Sequence, residues 1–228
     1  MKQIYCPWGW GDICCASTIL PFIEDYVYWW INPKWAWLFD EHEQVETRCM
    51  KTDMLVNEKN LFDDGTIFPQ PWLNKGLLSQ APYVHIPQLV LLGEVRNKNP
   101  RPQVKHRTDE WEQSPDKPVA IIERTAISFG SLTREDTDKI VTLLPEHEIV
   151  WGDEIPLRQI FDAYHKSDIF IGIASGISCY TCSCLQPPRR RIEYTGGDHI
   201  SCRHMEPATQ TTTSKDRFFE LIKEAGKV

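Results

Sequence analysis

Apolar runs alternate with amphipathic stretches along the first half of the chain, and each change of period predicts a change of element. The predicted strands are residues 3–8, 26–31 and 46–51, and the predicted helices are residues 13–23 and 34–41. The apolar segment 83–93 fits a helix or a strand equally well. Strands that alternate with helices imply a mostly parallel sheet covered by helices.

The second half restarts the same alternation. The predicted strands are residues 119–123, 148–151, 168–174 and 190–194, and the predicted helices are residues 133–144, 156–166, 177–185 and 214–225. The segment 96–116 between the halves is highly charged and contains Pro100, Pro102 and Pro115, which is typical of an exposed linker. We therefore predict an α/β protein with two small Rossmann-like domains, residues 1–95 and 117–228, facing across a cleft.

Two turns of small residues each join a predicted strand to a predicted helix. The first is Trp8-Gly9-Trp10-Gly11-Asp12, and the second is Ala174-Ser175-Gly176-Ile177-Ser178. Such turns present backbone N–H groups at a helix N-terminus, where the helix dipole favours an anion. The first turn carries a carboxylate and the second carries hydroxyls, which suggests a base in one domain and a phosphate cradle in the other.

Composition narrows the class of protein. The net charge of −7 gives no overall polybasic character, so nucleic-acid binding would need a local patch. Arginine and lysine residues within 96–107 and at 189–191 offer two such patches. No apolar run approaches the ~20 residues of a membrane span, and the N-terminus enters a predicted strand without the pattern of a signal peptide. We expect a cytoplasmic protein of a bacterium or a phage-infected host cell, without integral membrane contact.

The chain has eight cysteines, most of them in apolar segments rather than in the loops of a disulfide-rich scaffold. Cys179 and Cys182, with Cys202 and His204, could ligate zinc, but cysteines three apart beside an apolar strand are more often core packing. We expect no metal site.

The segments around the two turns resemble family 9 glycosyltransferases, the heptosyltransferase family, whose members have the GT-B fold. The resemblance covers about the first 30 residues and most of 117–195. It rests on Gly9-Trp10-Gly11-Asp12 followed by Leu20-Pro21, and on the Ser-Gly-x-Ser turn at 175–178. Two positions depart from the family pattern, since Ala174 stands where the family has an acid and Cys179 where it has a histidine.

The resemblance implies roles for particular residues. Asp12 would be the catalytic base that takes the acceptor's proton, although an acid there is also a common helix cap. The acceptor would contact Trp8, Trp10 and Gly11. The donor diphosphate and ribose would be bound by residues that follow strands of the second domain, which are Arg124, Thr125, Ser128, Asp153, Glu154, Ser175, Gly176, Ile177 and Ser178. A nucleotide sugar would be the co-substrate, with no further cofactor.

The expected function is an inverting glycosyl transfer from a nucleotide sugar to a hydroxyl group. The acceptor could be a glycan such as lipopolysaccharide, or a hydroxymethylated DNA base of the phage type; the net charge argues mildly against DNA, but the sequence does not decide between them. The alternative is a non-catalytic nucleotide-binding or scaffold protein that keeps a GT-B-like fold, which the changes at Ala174 and Cys179 would suit. A flavodoxin-like or NAD-binding protein fits less well, because the first turn lacks the third glycine of the dinucleotide fingerprint.

Overall fold

The computed structural model describes residues 2–6, 8–50, 66–67, 85–98, 100–112, 116–126, 130–173, 190–195 and 209–227. The chain divides into two compact units, Met1–Arg107 and Thr108–Val228, so the boundary falls inside the segment 96–116. The last residues of the first unit are tied to it, since the Gln103 N–H donates to Ser17 Oγ at 2.8 Å and the Lys105 N–H donates to the Leu38 carbonyl at 2.9 Å.

The first unit is built around a parallel sheet. Its strands are β1 (Lys2–Tyr5), β2 (Val27–Ile31), β3 (Val45–Cys49) and β4 (Thr66–Ile67), in the order β3-β2-β1-β4, and its helices are α1 (Trp10–Ser17) and α2 (Ile86–Leu92), with 3₁₀ turns at Leu20–Phe22 and Pro33–Phe39. The core lies between the sheet and these turns, where the buried Trp29 ring contacts Phe39 at a centroid distance of 4.7 Å. The undecided segment 83–93 is therefore a helix.

Helix α1 differs in position from the predicted helix 13–23. It begins at Trp10 because Gly9 takes the extended conformation of an N-cap and the Asp12 side chain folds back onto it. It ends at Ser17, where the hydroxyls of Ser17 and Thr18 donate to carbonyls of the preceding turn. Pro21 then cannot donate a backbone hydrogen bond, so the chain continues as a 3₁₀ turn.

The second unit has a second parallel sheet. Its strands are β5 (Val119–Glu123), β8 (Glu148–Trp151), β9 (Ile169–Ile173), β10 (Arg190–Tyr194) and β11 (Thr209–Thr212), in the order β11-β10-β9-β5-β8. A short antiparallel pair is formed by β6 (Thr125–Ala126) and β7 (Gly130–Ser131). The helices are α3 (Arg134–Leu143), α4 (Ile160–Lys166) and α5 (Lys215–Ala225). Strands β5, β8 and β10 match the predicted ranges. The pair β6–β7 and strand β11 were not predicted, and the predicted helix 177–185 lies outside the described residues.

Helices pack on both faces of this sheet, so β5 is buried on both sides. Ala120 and Ile122 of β5 belong to a cluster with Ile140 of α3 and Phe218 and Ile222 of α5. On the opposite face, Tyr164 of α4 packs edge-on against Phe170 of β9 at 5.0 Å. The α/β class with parallel sheets is thus confirmed.

In each sheet the strand order reverses direction at one place. In the first unit the reversal lies between β1 and β4, and in the second it lies between β5 and β9. Open α/β sheets bind ligands in the crevice beyond the carboxyl ends of strands at such a reversal. The residues that follow β1 and β5 are therefore where a binding site is expected, and the segment Gly9–Asp12 and the residues Glu123 and Arg124 stand there.

Candidate functional site

Asp12 lies in the first turn of α1, directly after β1. Its Oδ2 accepts a hydrogen bond from the Gly9 N–H at 3.1 Å, so the carboxylate caps the helix in this structure, and the side chain stays half-buried. Its charge also reaches Cys6, whose pKa is raised well above its usual range by burial and, secondly, by the Asp12 carboxylate. The capping contact and a role as a base are compatible, because a carboxylate has further lone pairs.

The tryptophans predicted to bind the acceptor both stand in aromatic contacts of the first unit. Trp10 stacks on Trp35 with ring centroids 5.4 Å apart, and Lys34 lies over the Trp35 ring at 4.7 Å. Trp8 packs against Tyr5 and its neighbours. Both indoles are half-buried, whereas Gly11 is buried inside α1. Half-buried indoles therefore stand two and four positions before Asp12 in the chain.

Three predicted donor-binding residues come together in the second unit. The Arg124 guanidinium donates to both carboxylate oxygens of Asp153, at 2.9 and 2.6 Å, and to Glu154 Oε1 at 3.1 Å. It also lies 4.6 Å from the centroid of the Trp151 ring. We call Arg124, Asp153 and Glu154 the Arg124 cluster. It stands beyond the carboxyl ends of the neighbouring strands β5 and β8.

This arrangement makes Arg124 a bidentate partner of a carboxylate, the same geometry in which arginine binds phosphate. Asp153 and Arg124 are about one-third exposed and Glu154 nearly two-thirds, so the pair is reachable from solvent and its net stabilisation is modest. Thr125 is exposed and begins β6. The cluster carries two negative charges and one positive charge.

Glu123, the last residue of β5, is a feature that the sequence analysis missed. Its side chain is only 2% exposed, and in register it stands between Gly152 beyond β8 and Gly172 of β9. The sequence does contain a pattern that points to Glu123, because this acid directly follows the apolar run Val119–Ile122 and glycines occur at the matching positions beside it, Gly152 and Gly172.

The pKa of Glu123 is raised to about 7. Burial is the main cause, and repulsion by the Asp153 carboxylate is the second. A hydrogen bond from the Thr125 backbone and attraction by Arg124 act in the opposite direction but are weaker. Glu123 is therefore partly protonated at neutral pH. A carboxyl group with a pKa near 7 at a strand end is typical of functional sites.

The remaining predicted donor-binding residues, Ser128, Ser175, Gly176, Ile177 and Ser178, lie outside the described residues, as do Ala174, Cys179, Cys182, Cys202 and His204. In the described part of the chain, no group of three or more His, Cys, Asp or Glu side chains is placed to hold a metal ion. No helix in the same ranges has the length and apolar character of a membrane span.

No protein-family model matches the sequence, and no curated protein matches it. Solved structures do match. The chain is similar to the E. coli ADP-heptose LPS heptosyltransferase II, with 9% identity and a TM-score of 0.63 over 99% of this chain and 98% of that one. It is also similar to E. coli heptosyltransferase WaaC with ADP, with 9% identity and a TM-score of 0.57 over 99% of this chain and 100% of that one.

A third similar structure is TibC of enterotoxigenic E. coli, described as an iron-containing dodecameric glycosyltransferase. The identity is 10% and the TM-score 0.63, over 93% of this chain and 64% of TibC. At this level of identity the likeness concerns the fold. The chain has the α/β fold of the GT-B glycosyltransferases, and heptosyltransferases are among the structures of that class that it resembles.

Proposed function

We propose that this protein is a glycosyltransferase that moves a sugar from a nucleotide-sugar donor to a hydroxyl group with inversion at the sugar carbon. The observation that carries the proposal is the Arg124 cluster beyond the carboxyl ends of β5 and β8, at the edge where a Rossmann-like sheet binds a nucleotide. The GT-B fold and the position of Asp12 after β1 support it.

In this proposal the donor diphosphate binds the second unit. Arg124 offers its positive charge and the N–H groups not bonded to Asp153 and Glu154 to the leaving diphosphate, and the two carboxylates offer their remaining lone pairs to the ribose hydroxyls. As the bond between the sugar carbon and the diphosphate breaks, charge develops on the leaving oxygen, and a nearby guanidinium stabilises it. The Ser-Gly-x-Ser turn at 175–178 would add hydroxyls and backbone N–H groups, as the resemblance to family 9 implies.

Asp12 is the proposed base of the first unit. Its carboxylate takes the proton of the attacking acceptor hydroxyl while the oxygen forms its bond to the sugar carbon. The stacked pair Trp10 and Trp35 offers an apolar ring surface, which suits a sugar face or a nucleobase. The acceptor is a glycan or a hydroxymethylated DNA base. The net charge of −7 favours the glycan mildly.

The first experiment is a thermal-shift panel of UDP-glucose, GDP-mannose, ADP-D-β-D-heptose and a CMP-linked sugar. A ligand that binds only the folded protein raises its melting temperature. We expect one nucleotide to give a selective rise, and we expect Arg124→Gln to abolish it. No rise with any nucleotide would contradict the donor site.

The second experiment separates the enzyme from the non-catalytic alternative. Asp12→Asn keeps a side chain that can cap Gly9 but removes the base, so we expect turnover to fall by at least ~100-fold while nucleotide affinity is kept. The matched control is Asp136→Asn, because Asp136 holds the same capping position in α3, where its Oδ2 accepts from the Thr133 N–H at 2.9 Å. Turnover that survives in Asp12→Asn at the level of the control would contradict the role of Asp12 as the base. Nucleotide binding without any turnover in the wild type would favour the scaffold alternative.

A further inference from the structure

Glu123 occupies a space that exists only because both neighbouring strands have glycine beside it. A Cβ on Gly152 would lie 2.5 Å from Glu123 Oε2, and a Cβ on Gly172 would lie 3.0 Å from Glu123 Cβ. Ordinary carbon contacts are 3.5 Å or longer. A side chain at Gly152 would displace the glutamate oxygen, and one at Gly172 would press on Glu123 and equally on Phe170, so the carboxyl group lies close to both backbones at the point where the strand order reverses.

The carboxyl group is only partly satisfied by the protein around it, because the Thr125 backbone bonds to it while one oxygen is left without a partner in the described part of the chain. Glu123 Oε2 is buried and has no hydrogen-bond partner among the described residues. The groups that face it come from several elements: Arg124 follows its own strand, Asp153 and Gly152 follow β8, Tyr164 comes from α4, and the buried pair Arg191 and Glu193, 2.7 Å apart, lies on β10 beyond Gly172. A lone buried carboxylate is costly, so its protonation state matters.

Glu123 and the Arg124 cluster are joined by one short turn. Gly152, which rests on Glu123 Oε2, begins the 3₁₀ turn Gly152–Glu154, and the next two residues of that turn are the carboxylates that bind Arg124. The hydrogen bonds described for the Arg124 guanidinium go to Asp153 and Glu154, whereas Glu123 and Arg124 are linked by charge. Glu123 acts on Arg124 through the turn and through its charge.

We propose that Glu123 is a positioning residue of the donor edge, whose carboxyl group sets how firmly Asp153 holds Arg124. The proposal rests on the proposed function, in which this edge binds the donor diphosphate. When Glu123 is neutral, the turn Gly152–Glu154 packs against it and Asp153 keeps its hydrogen bonds to the Arg124 guanidinium. When it is ionised, it repels Asp153 and adds a negative charge beside the diphosphate, so the donor binds more weakly.

The first test uses the ligand-free protein. We expect the Arg124 Nε–H signal in ¹H–¹⁵N NMR spectra to move with a midpoint near pH 7 in the wild type and to stay fixed in Glu123→Gln. Glu148→Gln, at the opposite end of neighbouring strand β8, is the matched control and keeps the wild-type titration. An Arg124 signal that does not move, or that moves equally in Glu123→Gln, overturns the proposal.

Asp153→Asn gives an independent check in case Glu123→Gln does not fold. It leaves Glu123 in place and removes the repelling charge, so the ¹³C signal of the Glu123 carboxyl group should titrate at a lower pH than in the wild type. An unchanged midpoint contradicts the coupling between the two carboxyl groups.

The second test measures affinity for the nucleotide sugar that the thermal-shift panel selects, at pH 6 and pH 8. A nucleotide sugar has a doubly esterified diphosphate that does not change charge in this range. We expect wild-type affinity to fall roughly sixfold between these pH values, since one added charge about 10 Å from the two diphosphate charges, at an effective dielectric constant of about 40, sets a limit of roughly 17-fold. Glu123→Gln should show no fall.

Failure of the proposed function and failure of the positioning role of Glu123 give different results. If no nucleotide sugar binds but Arg124 follows Glu123 in the NMR titration, the proposed function fails and the coupling stands. If a nucleotide sugar binds equally well at both pH values in the wild type, the donor site stands and the positioning role of Glu123 is wrong.

Discussion

At the scale of single residues, two buried ionisable side chains stand in surroundings that disfavour their charged forms. One is Glu123. The other is His147, which is 6% exposed, precedes β8, and has no hydrogen-bond partner for either ring nitrogen among the described residues. The free energy of unfolding therefore changes with pH in opposite directions for the two groups, because one is an acid whose pKa is raised and the other is a base whose pKa is lowered.

Glu123 should make the folded protein less stable as the pH rises. Between its ordinary value of 4.5 and the folded-state value of about 7, the folded protein keeps a proton that the unfolded chain has lost, so the free energy of unfolding falls through this window. At 1.36 kcal/mol per pKa unit, the full loss above pH 7 is about 3 kcal/mol. Glu123→Gln should therefore be the more stable protein at pH 8 but not at pH 4.5, as measured by urea unfolding.

His147 should produce the reverse trend on the acid side. Burial, followed by the nearby Arg190, lowers its pKa below 6.5, and this outweighs Asp168 and Glu146. As the pH falls below 6.5, the unfolded chain gains a proton that the folded protein resists, so stability is lost. We expect His147→Gln to reduce this acid sensitivity and the exposed control His165→Gln to leave it unchanged in melting curves from pH 7 to pH 5.

The sequence locates some candidate residues more readily than others. The positions of Arg124, Asp153 and Glu154 beyond strand ends could be predicted because each follows a strand whose apolar run was clear, whereas their role in donor binding stays a prediction. Glu123 was missed because an acid at the end of a strand is usually solvated, and the two glycines that bury it lie 29 and 49 positions further along the chain. No local pattern connects them. The capping contact of Asp12 was foreseen as the plain alternative to catalysis, and the structure contains it.

At the scale of elements, buried strands were predicted more accurately than helices. β5 and β8 each contain an uninterrupted apolar run, Val119–Ile122 and Ile149–Trp151, with a charged residue at one end. Helix α4 begins at Ile160 instead of residue 156, because Pro156–Gln159 closes a turn through the Gln159 N–H, which donates to the Pro156 carbonyl at 2.8 Å. Helical spacing by itself does not distinguish such a turn from the first turn of a helix.

The 3₁₀ turn Gly152–Glu154 gives a prediction for an element. Gly152→Ala places a Cβ against Glu123 Oε2 and should destabilise the protein by about 1–3 kcal/mol, the usual cost of overpacking a core. The same shift of the turn should weaken donor binding. In a double-mutant cycle, Glu123→Ala should recover part of the loss, because it removes the oxygen that the new methyl group meets. Strict additivity of the two changes would contradict the contact.

At the scale of the whole molecule, the two-unit organisation follows from the alternation that restarts after the proline-containing segment 96–116. The strand order could not be predicted, since parallel strands pair across long stretches of chain. β1 pairs with β4 some 60 residues later, and β5 pairs with both β8 and β9. Periodicity identifies strands but carries no information about their neighbours.

Separate expression of the two units tests this organisation. Each unit has its own sheet and its own buried residues, so residues 1–107 and 108–228 should each fold alone. We expect each fragment to give a cooperative thermal transition by circular dichroism. Fragment 108–228 should also keep the pH-dependent Arg124 signal. A fragment without a cooperative transition would show that its unit needs the other.

The central place of β5 has a consequence for the protein while it is being synthesised. β5 leaves the ribosome first among the strands of its sheet, yet one of its two neighbours, β9, begins 46 residues after β5 ends. At about 5–20 residues per second, roughly 2–9 s pass before β9 follows, and until then β5 has at most β8 as a partner. We expect a hydrated, charged Glu123 to keep the end of this apolar strand soluble until the sheet is complete.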